Sequence, residues 1–319
     1  MLRTFKRSLE RQARAGVARD GSRAGLARIR RLADGRLSLA ARVFEAAAND
    51  DWADQAESHV SGMNLQNTPV SAVLPASAYQ LLLVELPNVP ADELLAAVRW
   101  RIKDLIDFPL EEAVVELLDM PRHANPGNAP IAYAVVSRRA EILQQIDMMK
   151  AADLRMDVID IPELCIRNIA VLLPQDEFGI AFLHFTAECG YLTVTHKGVL
   201  HMLRRLETGR HALAEASGDE FALQERVAGI ALEVQRSLDY YESHYDRRPI
   251  SEIVLGPGAD LDAVPVAMTD ALGLTISRLN LDELFSIEGD ISVEEQAGCL
   301  LAVGAALRTD EPLQRAVSP

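Results

Sequence analysis

Seven histidines, three cysteines and a few acidic pairs are the chemistry-bearing groups of this 319-residue chain, and their spacing limits what they can do. The histidines (59, 123, 184, 196, 201, 211 and 244) include no HxH or HxxxH pair. His196 and His201 stand five apart across a predicted turn, a weak pattern for a metal. His184 lies in an apolar strand pattern and reads as a core histidine rather than a base. Ser237 and Asp239 follow Arg236 on a predicted helix, where residues two apart point away from each other. They read as surface pairing, not as a catalytic set. Glu111-Glu112 and Glu294-Glu295 are acids near the ends of helices or strands. No Gly-x-Ser-x-Gly, Walker A or His-Glu-x-x-His string occurs. Cys165, Cys189 and Cys299 lie far apart in apolar runs, as buried reduced thiols do.

Two features carry more interest. Asp20-Gly21-Ser22 sets a carboxylate beside a flexible turn. Trp100 and Phe108 flank a short segment in a chain whose aromatic content is only 5%. Aromatic side chains in such a place can anchor a partner peptide or fill a small core.

The bulk numbers exclude several classes. A net charge of −15 argues against wrapping nucleic acid, which needs Lys and Arg for its phosphates. No run approaches the about 20 apolar residues needed to span a bilayer. The N-terminus is basic but lacks an apolar stretch behind it, so no signal peptide is expected. Within residues 1–14, Leu2, Phe5 and Leu9 fall at helical spacing among Arg3, Lys6, Arg7, Arg11 and Arg14. Such a segment can lie on an anionic membrane face or remain solvated.

Extended pieces at 15–45 are punctuated by Gly21, Gly25 and Asp34-Gly35, the last a hairpin signal. Residues 46–62 read as helix, and 70–74 and 79–85 as strands. A helix opens at Pro90 with a stripe of Leu94, Leu95, Val98, Ile102 and Leu105, and Pro109 ends it. Strands at 113–118 and 131–136 follow, then a helix at 138–152, a strand at 156–161 and a helix from Pro162. The second half repeats the theme. Strands at 179–186, 191–195 and 199–206 precede a polar stretch at 207–218. A long helix at 220–245, a strand at 253–255, a helix at 260–272, a strand at 274–277 and a helix at 294–307 complete it. This order suits two α/β lobes, each a mixed sheet flanked by helices, with a cleft between.

Four segments carry a family resemblance: VPADELLAAVRWRIKDLIDFPLEEAVVELLDM (89–120), VVSRRAEILQQIDMMKAADLRMDVIDIPELCIRNI (135–169), ALEVQRSLDYYESHY (231–245) and CLLAVGAALR (299–308). In order and spacing the chain resembles the PilM-like pilus assembly proteins, and among them the MshI group of the MSHA pilus. The resemblance implies an actin-like (ribonuclease H-like) two-lobed fold with a small inserted subdomain. The first lobe would span 15–175 with the insertion at about 88–140, and the second 176–319. It also implies a cytoplasmic scaffold, peripheral at the inner membrane, in a type IV pilus assembly platform. Its partners would be the cytoplasmic tail of a PilN/MshJ-type single-pass protein and the assembly ATPase. An ATP-binding switch in pilus or type II secretion assembly is the alternative.

The resemblance locates a nucleotide cleft whose parts can be compared position by position. Aligned on Gly16, the first hairpin has Ala18 where an Asp is expected, with Asp20 two residues on. The second hairpin has His184 at the Asp position and Thr186 at the Gly position. The third turn reads Gly256-Pro257-Gly258, and Pro removes one N–H. Without carboxylates Mg²⁺ has little to hold it, and hydrolysis loses its electrostatic support. The expectation is therefore no ATP hydrolysis, with weak ATP binding the most that Gly21, Ser22, Gly256 and Gly258 would retain.

Overall fold

An antiparallel meander begins the computed structural model, which describes residues 13–46, 52–121, 129–245, 249–258, 261 and 264–308. The amphipathic pattern of Leu2, Phe5 and Leu9, His123 and most of the 121–130 loop lie outside the described residues. β1 (Arg14–Asp20) turns through Gly21-Ser22 into β2 (Arg23–Arg31), which turns near Asp34-Gly35 into β3 (Leu37–Glu45). Gly35 sits at φ +89° and Asp34 accepts a hydrogen bond from the Arg36 N–H, which is why Asp-Gly works there. Helix α1 (Trp52–Gly62) then leads to β4 (Val70–Val73), parallel to β1.

A smaller unit interrupts the first sheet. β5 (Tyr79–Glu85), α2 (Ala91–Arg101), β6 (Ala113–Asp119) and β7 (Ile131–Arg138) form a three-stranded sheet ordered β5-β7-β6. Its core is Val84, Val98, Ile102, Phe108, Val115 and Val136. This sheet starts at Tyr79, ahead of the position near 88 that the sequence suggested. Helix α3 (Arg139–Ala151) returns the chain to β8 (Met156–Asp160), parallel to β4, and α4 (Pro162–Ala170) follows.

The second half builds β9 (Ile180–Phe185), β10 (Gly190–His196) and β11 (Val199–Leu206), all antiparallel neighbours. Helices α5 (Arg210–Ala216) and α6 (Glu220–His244) lead to β12 (Glu252–Leu255), and α7 (Val264–Leu272) leads to β13 (Thr275–Arg278). Every residue of β9 is buried, as expected of a central strand covered on both faces. A one-turn α8 (Leu281–Leu284), a two-residue β14 (Ser286–Ile287) and α9 (Val293–Ala306) end the described chain.

Both large sheets use one strand order. The first runs β3-β2-β1-β4-β8 with β14 outside β3, and the second runs β11-β10-β9-β12-β13. In each, the first three strands are antiparallel and the last two run parallel to the first. α4, which follows the last strand of the first sheet, packs on β9 and β10 of the second. α9 comes from the second half and packs on β1, β2 and β3 of the first sheet, and on α4. This crossed pair of helices between two equivalent sheets is the two-lobed actin-like arrangement.

α9 is apolar on nearly all sides, so it has to be covered all round. That is why β14 and α9, expected with the second lobe, lie against the first sheet. The contact is backbone to backbone. A Cβ at Gly16 would fall on the Ala302 carbonyl, and one at Gly25 on the Gly298 carbonyl. Gly25 therefore does not interrupt an extended piece. It sits inside β2 because a helix passes over it. Ser292 and Glu295 form a reciprocal capping box at the start of α9, and Arg308 at its far end reaches Asp160 at 2.9 Å.

Two other expectations change. α2 ends at Arg101, eight residues before Pro109, because Ile102 and Phe108 both turn into the small core. Its stripe is split accordingly: Val98 and Ile102 are buried, while Leu95 and Leu105 are exposed. The polar stretch at 207–218 contains α5, whose Leu213 and Ala216 are buried.

Gly16→Val should destabilise the fold by about 1–3 kcal/mol, because the added atoms overlap the Ala302 backbone. Gly229→Ala, at an open position within α6, should stabilise it by about 0.5–1 kcal/mol. Urea unfolding of the two variants against the parent measures both.

Candidate functional site

The tips of the two long hairpins meet across the cleft between the lobes. At the first tip Gly21 takes φ +60°, a conformation glycine adopts without strain. The turn brings Asp20 against the second tip, Thr186–Cys189, and Asp20 Oδ1 accepts the Ala187 N–H at 2.7 Å. The second tip is satisfied by its own surroundings. The Thr186 N–H donates to the Cys189 carbonyl, and the Thr186 and Ala187 carbonyls accept from the Arg210 and His211 N–H groups at 2.8 and 3.0 Å. Burial raises the Asp20 carboxyl pKa, although the Ala187 N–H, Arg210 and His211 all pull it down.

A cleft of about 630 Å³ opens beside this contact. Arg19, Asp20 and Gly21 form one wall, the 73–78 loop and α3 another, and Tyr191 and Arg205 a third. At its edge stands a buried polar junction. Glu163, in the first turn of α4 and wholly buried, accepts from the Tyr79 hydroxyl at 2.6 Å. Arg205 Nη2 lies 3.5 Å from the other Glu163 oxygen, and Arg205 Nη1 donates to the Ala76 carbonyl at 2.9 Å. The guanidinium also stands 4.7 Å from the Tyr79 ring centre and 5.8 Å from that of Tyr191. Burial pushes the Glu163 carboxyl above its ordinary value and the Tyr79 phenol well above its own. The junction joins α4, β5 and β11 through one carboxylate.

The residues expected at a nucleotide site are not gathered in one place. Gly21 lines the cleft, but the Ser22 hydroxyl donates to Glu45 at 2.9 Å on the exposed edge of the hairpin. Gly256 packs against His184: a Cβ there would come within 2.6 Å of His184 Nδ1. The His184 ring fills that space, and burial lowers its pKa to about 3, so it stays neutral at physiological pH. The Gly258 carbonyl accepts from Arg278 Nη1 at 3.3 Å. Neither Gly256 nor Gly258 lines the cleft that Gly21 does. Ala18 is buried in the first sheet. Among the described residues, no group of three or more His, Cys, Asp or Glu side chains could hold a metal ion.

Trp100 and Phe108 separate as well. Phe108 belongs to the small core, with the Arg138 guanidinium 4.1 Å from its ring centre. Trp100 is 69% exposed at the end of α2, and Lys103 Nζ lies 5.7 Å from its ring. It borders a groove of about 730 Å³ that continues to Pro109 and Leu110. Glu163, Tyr79 and Arg205 had no individual signal in the sequence. Glu163 sits within the Asp160-Ile161-Pro162-Glu163-Leu164 string, but nothing there pairs it with residues 84 and 42 positions away.

Solved structures share this architecture over nearly the whole chain. A chain of the PilM–PilN type IV pilus biogenesis complex matches with a TM-score of 0.74 and 20% identity, covering 94% of this chain and 99% of that one. The cytoplasmic domain of EpsL, an inner-membrane component of the type II secretion system of Vibrio cholerae, matches with a TM-score of 0.50 and 12% identity, covering 93% and 96%. A Bacteroides thetaiotaomicron protein with an actin-like ATPase fold reaches 0.48 at 7% identity, covering 88% and 94%. No protein-family model and no curated protein matches the chain. At these identities the likeness is one of fold. The likeness to the first two structures and the strand order give this chain the actin-like two-lobed fold.

Because Glu163 is harder to ionise when folded, the native state holds its proton more tightly than the unfolded state does. Its contribution to stability therefore falls as pH rises above about 4.5, the ordinary value. Glu163→Gln should flatten that slope, so parent and variant stabilities should diverge between acid and neutral pH. Parallel urea titrations across that range read the difference.

Proposed function

We propose that this chain is a PilM-like adaptor at the cytoplasmic face of an inner-membrane assembly platform, of a type IV pilus of the MSHA kind. It binds the cytoplasmic tail of a PilN/MshJ-type single-pass protein, links it to the assembly ATPase, and does not hydrolyse ATP. The observation that supports this reading most is the near end-to-end likeness to a chain of the PilM–PilN complex. The four sequence segments point the same way. Among the described residues no helix is long and apolar enough to cross a membrane, which suits a protein attached through a partner. A net charge of −15 suits a basic tail as ligand.

The cleft chemistry supports a binding role over turnover. Asp20, two residues beyond the expected metal position, has an oxygen engaged by the Ala187 N–H. His184 occupies the room beside Gly256 that a base-binding turn would need open. The competing reading, an ATP-binding switch, requires both groups to move.

Thermal unfolding separates the readings. A ligand at 100 times its Kd stabilises the folded state by about 2.7 kcal/mol, a shift of several degrees. Millimolar MgATP should leave the melting temperature unchanged, and an upward shift of that size would overturn the claim of an inactive cleft.

Trp100 is the proposed anchor for the partner, with Phe108 beneath it shaping the groove. Trp100→Ala should change stability by less than about 0.5 kcal/mol, since the side chain is exposed. It should weaken tail binding by about 2 kcal/mol, roughly thirtyfold. Fluorescence anisotropy with a labelled tail peptide from the neighbouring membrane protein measures this. No binding by the parent protein would sink the adaptor reading, and equal binding by the variant would sink the Trp100 anchor alone.

A further inference from the structure

The two hairpin tips come from sequence positions 167 residues apart, and a side chain joins them. Asp20 Oδ1 meets the Ala187 N–H at 2.7 Å, and a Cβ added at Gly21 would make ordinary contact with the Ala187 Cβ at 3.5 Å. A carboxylate is costly to bury unless its neighbours compensate it. Here the compensation comes wholly from the second lobe, through the Ala187 N–H, Arg210 and His211, against the opposing charge of Glu188. Three other backbone groups of the second tip are bonded within its own lobe: Thr186 N–H to the Cys189 carbonyl, and the Thr186 and Ala187 carbonyls to the start of α5. The Ala187 N–H faces across the gap, and the first lobe supplies its acceptor. Asp20 and Gly21 also line the open cleft, so the bond sits at its mouth.

We propose that Asp20 is a latch: an internal anion that occupies the backbone donor of the opposing hairpin and holds the two lobes closed. An external oxyanion reaching this tip has to displace Asp20 first. Opening of the cleft and release of this bond are then a single event, whether or not the chain serves a pilus.

Amide hydrogen exchange on the full-length chain tests this, comparing a peptide covering 183–190 with one covering α9 in the same sample. The α9 peptide reports global opening, so the ratio isolates the tip. In the parent protein the tip should be protected. Asp20→Leu removes the acceptor at similar volume and should speed exchange of the tip by about tenfold or more relative to α9. Asp20→Asn keeps an Oδ1 acceptor and should stay within about threefold of the parent. Asp20→Ala carries the same comparison should the leucine variant not fold. The latch is refuted by an unprotected tip in the parent, by a leucine or alanine variant exchanging like the parent, or by an asparagine variant exchanging as fast as leucine.

Discussion

Everything in this molecule is arranged around one close approach, the backbone of α9 lying directly on the backbones of β1 and β2. Gly16, Gly25 and Gly298 make room for it on the sheet side, and Gly304 does so against Cys165 of α4. Protein interiors are packed as tightly as organic crystals, so a contact of this kind tolerates no added methyl group. The Asn168 side chain fastens the same crossing by donating to the Gly304 carbonyl at 3.0 Å. The two helices carry the sheets on either side of them, so the hairpin tips project toward a common cleft.

The cleft follows from that geometry, and its chemistry is inward-looking. Asp20 faces a backbone donor of the opposite lobe, Glu163 faces Tyr79 and Arg205, and His184 faces Gly256. These three side chains are each engaged by another part of the protein. Away from the cleft, Trp100 at the end of α2 is the large aromatic side chain left most open on the small unit, 69% exposed.

Much of the architecture was legible because it depends on local patterns. The Asp34-Gly35 turn, the run of buried residues in β9 and the all-apolar stretch of α9 are written into neighbouring residues. The failures share a cause. Gly25 looked like punctuation because what it accommodates is a helix some 270 positions later in the chain. α5 looked like a polar loop because only Leu213 and Ala216 of its seven residues face the core. The Asp20 to Ala187 bond and the Tyr79–Glu163–Arg205 junction join residues whose partners are set by topology, and no spacing rule reaches across a sheet order.

That junction has a mechanical consequence. Tyr79 belongs to the small sheet, Glu163 to the helix between the lobes and Arg205 to the second sheet, yet all three share one carboxylate. A tilt of the small sheet by the length of a hydrogen bond would take the Tyr79 hydroxyl from Glu163, a wholly buried carboxylate, and leaving such a group short of a donor is costly. Small sheet, inter-lobe helix and second sheet are thus tied at one side chain, beside the wall of the cleft.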